Sequence, residues 1–331
     1  MLLSYLNLTT TDPAFNLAVE QYVFDHLPRD RMYFMLWQNE NAIIIGKHQN
    51  TYAEINTEYV AENNIKVVRR LSGGGAVYHD LGNLNFTFIT DAAQENGIDF
   101  HAFCVPIVRA LKKLGVNAEI NGRNDMLIDG KKFSGNSQYI RNGRVMHHGT
   151  LLFSSNLEVI TNALNVDPAK IKAKGIKSVR SRVTNIAEHM QDEIGLQCFR
   201  EALLSSILLI NPGTEYILTD EDLEEIGRIK EERYDTWQWN YGTSGECTLS
   251  KKDRIEGCGS VEIRYVLEHG LIKSMQLYGD FFSIRDPAQL CRQLIGTSLT
   301  KEALFVALAN VEPSAYILGL DKTKFIDLLC K

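Results

Sequence analysis

The sequence predicts an α/β (α+β) protein of two parts: a large domain over 1–242 and a small C-terminal α+β unit over 254–331, joined by a linker at 243–253. Three observations predict it. A chain of 331 residues with 44% hydrophobic content is long enough for about two cores. Up to Trp237, short β-branched and aromatic runs alternate with longer segments of helical spacing. After Trp237 the character changes: residues 241–253 gather Gly, Ser, Thr and two adjacent lysines, and a second set of strand and helix signals follows.

Residues 1–8 read as a strand. Asp12 and Pro13 then take the N-cap and first-turn positions of a helix running to about Leu27, where a side-chain acceptor is wanted and a missing N–H costs nothing. Met32 to Trp37 and Ala42 to Ile45 are apolar, β-branched or aromatic enough for strands. Ile65 to Leu71 and Leu84 to Thr90 are two more, and they set the glycine-rich segment between them at a sheet end. Phe100 to Leu114 carries helical spacing at Phe103, Ile107, Ala110, Leu111 and Leu114, with Gly115 as its stop. Met126 to Ile128 and Gly149 to Phe153 add strand, and Cys198 to Ile210 and Glu221 to Arg233 add helix. In the small unit, Val261 to Leu267 and Leu271 to Tyr278 form a hairpin across Glu-His-Gly. Asp286-Pro287 caps a helix that Gly296 ends, and Thr300 starts another.

Composition excludes several classes. A net charge of -6 is wrong for a general nucleic-acid binder, which needs a broad basic surface. The six cysteines, at 104, 198, 247, 258, 291 and 330, include no Cys-x-x-Cys pair and no Cys/His spacing of a zinc site, and read as free thiols. No run approaches membrane-spanning length, and the first residues lack the basic and apolar stretches of a signal peptide, so a cytoplasmic protein with no membrane partner is expected.

Two segments carry the chemistry. In Arg69-Arg-Leu-Ser-Gly-Gly-Gly-Ala-Val-Tyr-His-Asp80, three glycines let the backbone approach a ligand while arginines stand beside them. In Lys131-Lys-Phe-Ser-Gly-Asn136 a lysine lies beside another Ser-Gly turn. Together they suggest an anion-handling site. No Gly-Lys-Ser/Thr follows the glycines, and Tyr78 stands where a dinucleotide fingerprint has its third glycine, so neither familiar nucleotide loop fits. A bare triple glycine is commonly a hairpin turn.

These segments and their neighbours resemble, in order, the lipoate-protein ligase family. Asp12-Pro-Ala-Phe-Asn-Leu-Ala-Val-Glu20 resembles its opening helix and Arg69 to Asp80 its lipoate-binding loop. Gly122-Arg-Asn-Asp125, Lys132-Phe-Ser-Gly135 and His147-His-Gly-Thr-Leu-Leu152 follow. Lys177-Ser-Val-Arg-Ser-Arg-Val-Thr-Asn185 is similar to the adenylate-binding loop, and Trp237-Gln-Trp-Asn-Tyr-Gly242 to the close of the large domain.

The resemblance implies a biotin/lipoate ligase fold with a large mixed sheet, a C-terminal accessory domain, and ATP-dependent ligation. Lipoate and ATP would give lipoyl-AMP and pyrophosphate. A carrier lysine, on a dehydrogenase acyltransferase subunit or a glycine-cleavage carrier protein, would then take the lipoyl group. It makes Lys132 the catalytic lysine, placed to stabilise charge on phosphate and carbonyl oxygens. It assigns ATP and adenylate contacts to Arg70, Gly75, Ala76, Val77, Tyr78, Lys132, Arg180 and Arg182. Lipoate contacts fall to Leu17, Glu20, Trp37, Arg70, Ser72, Gly73, Gly74, Val77, His79, Lys132 and His148. Guanidinium pairs well with phosphate, which suits Arg70, whereas Arg69 reads as a surface or supporting charge. Asp125 is a candidate Mg²⁺ ligand, although an isolated Asn-Asp is commonly a turn or a strand-end cap. From Lys170 to Arg182 there are four lysines and two arginines with no acidic residue, which in this family resembles a mobile cover over the adenylate. An acyl transferase acting between carriers, the nearest alternative, would need a reactive cysteine, and none lies in these segments. A non-catalytic lipoate-binding protein is the other.

Overall fold

The computed structural model describes residues 2–91, 99–122, 124–164, 183–242, 249–268, 271–298 and 300–330. Strands β1 (Leu2–Asn7), β2 (Arg31–Trp37), β6 (Asn83–Asp91), β7 (Ala118–Asn121), β8 (Asp125–Ile128), β9 (Lys131–Arg141), β10 (Arg144–Leu152) and β11 (Gly213–Glu215) form one sheet in the order β11-β1-β2-β6-β10-β9-β8-β7. It is mixed: β1 runs parallel to β2 and β11, and the remaining pairs are antiparallel. A second sheet, β4-β3-β5, joins β3 (Ala42–Ile45), β4 (Lys66–Arg69) and β5 (Val77–His79).

The near-continuous apolar run of β2 follows from burial on both faces. Tyr33, Met35 and Trp37 turn to one core with the helix Pro13–His26, with Ile44 and Val68 of the second sheet and with Leu71 just beyond it. Phe34 and Leu36 turn to another core, with the helices His101–Lys113 and Leu196–Ile210. The helix Pro13–His26 begins after Asp12 as expected, but the Asp12 side chain makes no capping bond. Its residues from Leu17 to Phe24 are all buried, which accounts for a sequence that is apolar on most sides.

Three departures from the sequence reading matter. Lys131 to Asn136 is not a turn but the start of the eleven-residue strand β9, held on both sides by β8 and β10. The short strand β5 directly follows the glycine segment and escaped notice. Residues 249–253, expected in the linker, already belong to β12 (Leu249–Ile255), which pairs with β13 (Gly259–Glu268); β14 (Leu271–Gly279) completes a three-stranded sheet. The helices Pro287–Arg292, Lys301–Ala307 and Lys322–Cys330 close the core of this unit, the first two capped by Asp286 and Thr300 as read.

The C-terminal unit rests on the glycine segment. Gly279 N donates to His48 O at 2.7 Å and Gly74 N to Phe281 O at 3.3 Å. The Phe281 ring stacks on His48 at 4.8 Å, and Phe282 meets Phe100 edge-on at 5.0 Å.

Candidate active site

Between the large sheet and the second sheet lies a cavity of about 140 Å³. Its floor follows from strand register. Trp37 on β2 pairs with Asn85 on β6, Asn85 with Thr150 on β10, and Gly135 on β9 donates its N–H to Thr150 Oγ1 at 3.2 Å. Paired residues share a face, so these four line one row across four strands, and neighbouring strands lie about 4.8 Å apart. The row therefore runs roughly 14 Å from an aromatic end at Trp37 to a bare glycine at Gly135.

Lys132 occupies the glycine end. A β-bulge between β8 and β9 pairs Leu127 with Lys132 but Met126 with Ser134, and such an extra residue re-aims neighbouring side chains. A Cβ at Gly135 would stand 3.1 Å from Lys132 Nζ, so the glycine leaves the ammonium its space. Lys132 Nζ lies 2.7 Å from Asp125 Oδ1, in a pair that is only partly exposed. The Lys132 carbonyl accepts from Thr184 N at 2.9 Å, which ties the chain just beyond the basic stretch to the lysine. Asp125, the expected Mg²⁺ ligand, is thus the ion-pair partner of Lys132. Among the described residues no cluster of three His, Cys, Asp or Glu could hold a metal.

Of the expected lipoate contacts, Leu17, Trp37, Arg70, Gly74, Val77, His79, Lys132 and His148 line the cavity. Glu20 and Ser72 stand behind its wall. The Glu20 carboxylate meets His148 Nδ1 at 3.0 Å and accepts from Thr87 Oγ1 at 2.5 Å, while His148 Nε2 lies 2.6 Å from Ser72 Oγ. Trp37 Nε1 donates to Thr87 Oγ1 at 2.9 Å, so this buried chain orients both His148 and the indole. Gly73 faces the C-terminal unit, where a Cβ would come 2.4 Å from Phe281 O.

Of the expected nucleotide contacts, Arg70, Gly75, Ala76, Val77 and Lys132 line the cavity. Tyr78 turns to the far side of the small sheet, with its hydroxyl donating to Asn41 Oδ1 at 3.1 Å. Arg180, Arg182 and the rest of the Lys170–Arg182 stretch lie outside the described residues.

Arg70 does not hold its guanidinium free for phosphate. It donates to the carbonyls of Ile44, Gly73 and Gly75 and to Ser72 Oγ, bracing the glycine turn from inside. Burial pushes its pKa down to about 10, with Glu20 opposing the shift. Arg69, expected near the surface, is 1% exposed and bonds the carbonyls of Gly46, Gln49, Trp239 and Asn240. It is a structural pin between the glycine segment and the Trp237–Asn240 turn. His147, beside His148, is a satisfied core histidine among Phe86, Phe100 and Phe103, with Gln138 on Nδ1 and Asn136 on Nε2.

Ile44, Asn85, Asn136, Ser137, Gly149 and Thr150 also line the cavity and escaped the sequence reading. A signal was present. In β6, Asn83, Asn85 and Thr87 alternate with Leu84, Phe86 and Phe88, yet all six are buried. A polar face that alternates with a hydrophobic one and is itself buried must face polar partners or a ligand.

Residues 12–208 match the family described as "Lipoyl protein ligase A/B catalytic domain", and residues 244–329 match "Bacterial lipoate protein ligase C-terminus". The chain is 44% identical over 326 residues to lipoate-protein ligase LplJ of Bacillus subtilis, covering 98% of each chain. It is 43% identical over 323 residues to lipoate-protein ligase 1 of Staphylococcus aureus, again covering 98% of each. Among solved structures it superposes on a bipartite archaeal lipoate-protein ligase from Thermoplasma acidophilum with a TM-score of 0.66 and 27% identity, over 75% of this chain and 100% of that one. Its fold also matches P. falciparum LipL1, at a TM-score of 0.79 and 23% identity, over 99% of this chain and 98% of that one. The chain belongs to the lipoate-protein ligase family.

Proposed function

We propose that the cavity binds lipoate with its carboxylate at Lys132 and its ring toward Trp37, that ATP adenylates the carboxylate there, and that a carrier lysine then takes the lipoyl group. The observation that carries this reading is the placement of one ammonium, Lys132 Nζ, at the glycine end of a row whose other end is aromatic.

In the first step a carboxylate oxygen attacks the α-phosphorus, forming a C–O–P linkage and expelling pyrophosphate. In the second the carrier ε-amine attacks the acyl carbon, loses a proton, and AMP leaves with the bonding electrons. Negative charge grows on the α-phosphate and pyrophosphate oxygens in the first step and on the acyl oxygen in the second, so one ammonium placed between phosphate and acyl group serves both. Asp125 holds that ammonium in place before the phosphates arrive and must yield part of its hold when they do. A magnesium ion would enter with the nucleotide phosphates, since Asp125 alone does not make a protein site and is engaged by Lys132.

The carriers are lipoyl domains of dehydrogenase acyltransferase subunits or a glycine-cleavage carrier protein; the structure of the archaeal relative concerns a ligase and its E2 lipoyl domain. The working unit is the domain over 1–242, with the C-terminal unit as an accessory in a cytoplasmic enzyme. No helix among the described residues is long and apolar enough to cross a membrane.

Transfer through an acyl-cysteine is disfavoured. Among the described residues no cysteine lines the cavity, and burial pushes the Cys104 and Cys291 thiols up to about 12. Lipoate-dependent exchange of pyrophosphate into ATP, followed by transfer to a lipoyl domain, tests the proposal. Lys132→Ala is expected to lose both exchange and transfer from supplied lipoyl-AMP. Retained transfer would confine the lysine to the first step, and retained exchange would remove it from the mechanism.

A further inference from the structure

Building on the proposed lipoate site, we propose that its aromatic end selects a sulfur-bearing acyl tail over a plain alkyl chain, through the Nε2–H of His79, a donor that no group among the described residues satisfies.

The proton on His79 can be placed by following the amides behind it. Asn16 Nδ2 lies 3.1 Å from Thr10 O, 2.7 Å from Gln38 O and 3.0 Å from Asn39 Oδ1. Two main-chain carbonyls identify that Asn16 atom as nitrogen, so the Asn39 atom facing it is oxygen. Asn39 Nδ2 therefore points the other way, 3.1 Å from His79 Nδ1. An amide N–H only donates, so Nδ1 accepts and the ring proton sits on Nε2. Burial keeps the ring neutral, pushing its pKa down to about 3.

That Nε2–H is buried and has no partner among the described residues. His79 lines the cavity and meets Trp37 edge-on at 6.2 Å. From the facing sheet Asn85, the strand neighbour of Trp37, shares one hydrogen bond with Asn83 at 2.9 Å, and the outward atom of each amide is buried without a partner among the described residues; turning both amides over keeps that bond, so Asn85 can offer the cavity either an N–H or a carbonyl oxygen. Buried donors are nearly always satisfied, and one left over in the wall of a cavity points to a ligand that supplies an acceptor there.

An octanoyl tail supplies none and would leave this donor buried and unpaired. A dithiolane brings two polarizable sulfurs, weak acceptors that can take up such a donor. A pocket built to hydrogen-bond rejects the analogue lacking the group; with acceptors as weak as sulfur, the preference should be about tenfold in kcat/KM.

The experiment measures lipoate-dependent and octanoate-dependent pyrophosphate exchange on one preparation of the full chain. Wild type is expected to favour lipoate about tenfold. His79→Phe removes the donor at similar ring size and should bring the ratio close to one. Asn39→Asp sets an acceptor against Nδ1, moves the proton there and turns Nε2 into an acceptor. It should collapse the ratio with the imidazole still present, and ¹⁵N shifts of His79 should report the exchanged tautomer. A wild-type ratio near one, or ratios unchanged in both variants, overturns the inference; if His79→Phe fails to fold, the wild-type ratio and Asn39→Asp decide. Exchange with neither acid would instead refute the ligase reading, whereas equal exchange with both refutes only this selection.

Discussion

Acid should weaken this protein early and at a defined place. His48 and His79 are both held neutral by burial, with Lys47 and Arg69 adding to the effect on the first and Arg70 and His148 on the second; each pKa is pushed from 6.5 down to about 3. The unfolded chain therefore binds more protons than the folded one between those values, so stability is intact above 6.5 and is lost as pH falls toward 3. At pH 5 each histidine has forfeited roughly 1.5 pH units of linkage, or ~2 kcal/mol, and the pair ~4 kcal/mol. His147, also driven well below its ordinary value by burial, adds in the same direction. Against a typical net stability of about 5–15 kcal/mol this is a large fraction. The place is the seam between the units, because His48 stacks on Phe281 and holds Ser283 Oγ at 2.8 Å through Nε2. Urea unfolding at pH 7.5 and 5.0, followed by far-UV circular dichroism and by tryptophan fluorescence, measures the loss and shows whether the units part before the whole unfolds. His48→Gln keeps a hydrogen-bonding group without the titration and should remove ~2 kcal/mol of the loss. A stability that differs by less than about 1 kcal/mol between the two pH values would refute the linkage argument.

Two substitutions probe the site directly. Asp125→Asn removes the anion 2.7 Å from Lys132 Nζ; in so exposed a pair it should change stability by less than ~1 kcal/mol, yet lower the adenylation rate without shifting the Mg²⁺ concentration for half-maximal activity. A rise in that concentration would make Asp125 a metal ligand after all. Gly74→Val sets a β-branched residue at φ +92°, with its Cβ 2.9 Å from Arg70 Nη2. Strain of about 1–3 kcal/mol is expected, with a larger loss of affinity for lipoyl-AMP as Arg70 is displaced. Unchanged affinity alongside a collapsed melting temperature would make the loop purely structural.

What could be read in the sequence and what could not divide along a physical line. Local signals held: the Asp12-Pro13 start, the Gly115 stop and the caps at Asp286 and Thr300 depend on a few neighbouring residues, and the structure keeps them. Lys131 to Asn136 was misread because Ser-Gly-Asn is turn chemistry by itself, whereas pairing to β8 and β10 overrides that preference. Burial was also illegible for the arginines. Nothing local separates Arg69 from Arg70, and nothing local announces that both would be spent on carbonyls.

The same limit applies at Asp125. Asn-Asp near a glycine-rich loop suggests a cation, and the structure sets one beside it from the chain itself, the Lys132 ammonium seven residues on, delivered by a bulge that no spacing rule foretells. An ammonium held by a carboxylate is fixed yet not neutralised, since both groups remain partly exposed and the pair can open. In the proposed mechanism, a site that expels pyrophosphate in one step and transfers an acyl group in the next gains from such a loosely held charge. A lysine buried in a tight pair would have to break a desolvated contact at every turnover, whereas Lys132 has only to exchange one oxygen partner for another.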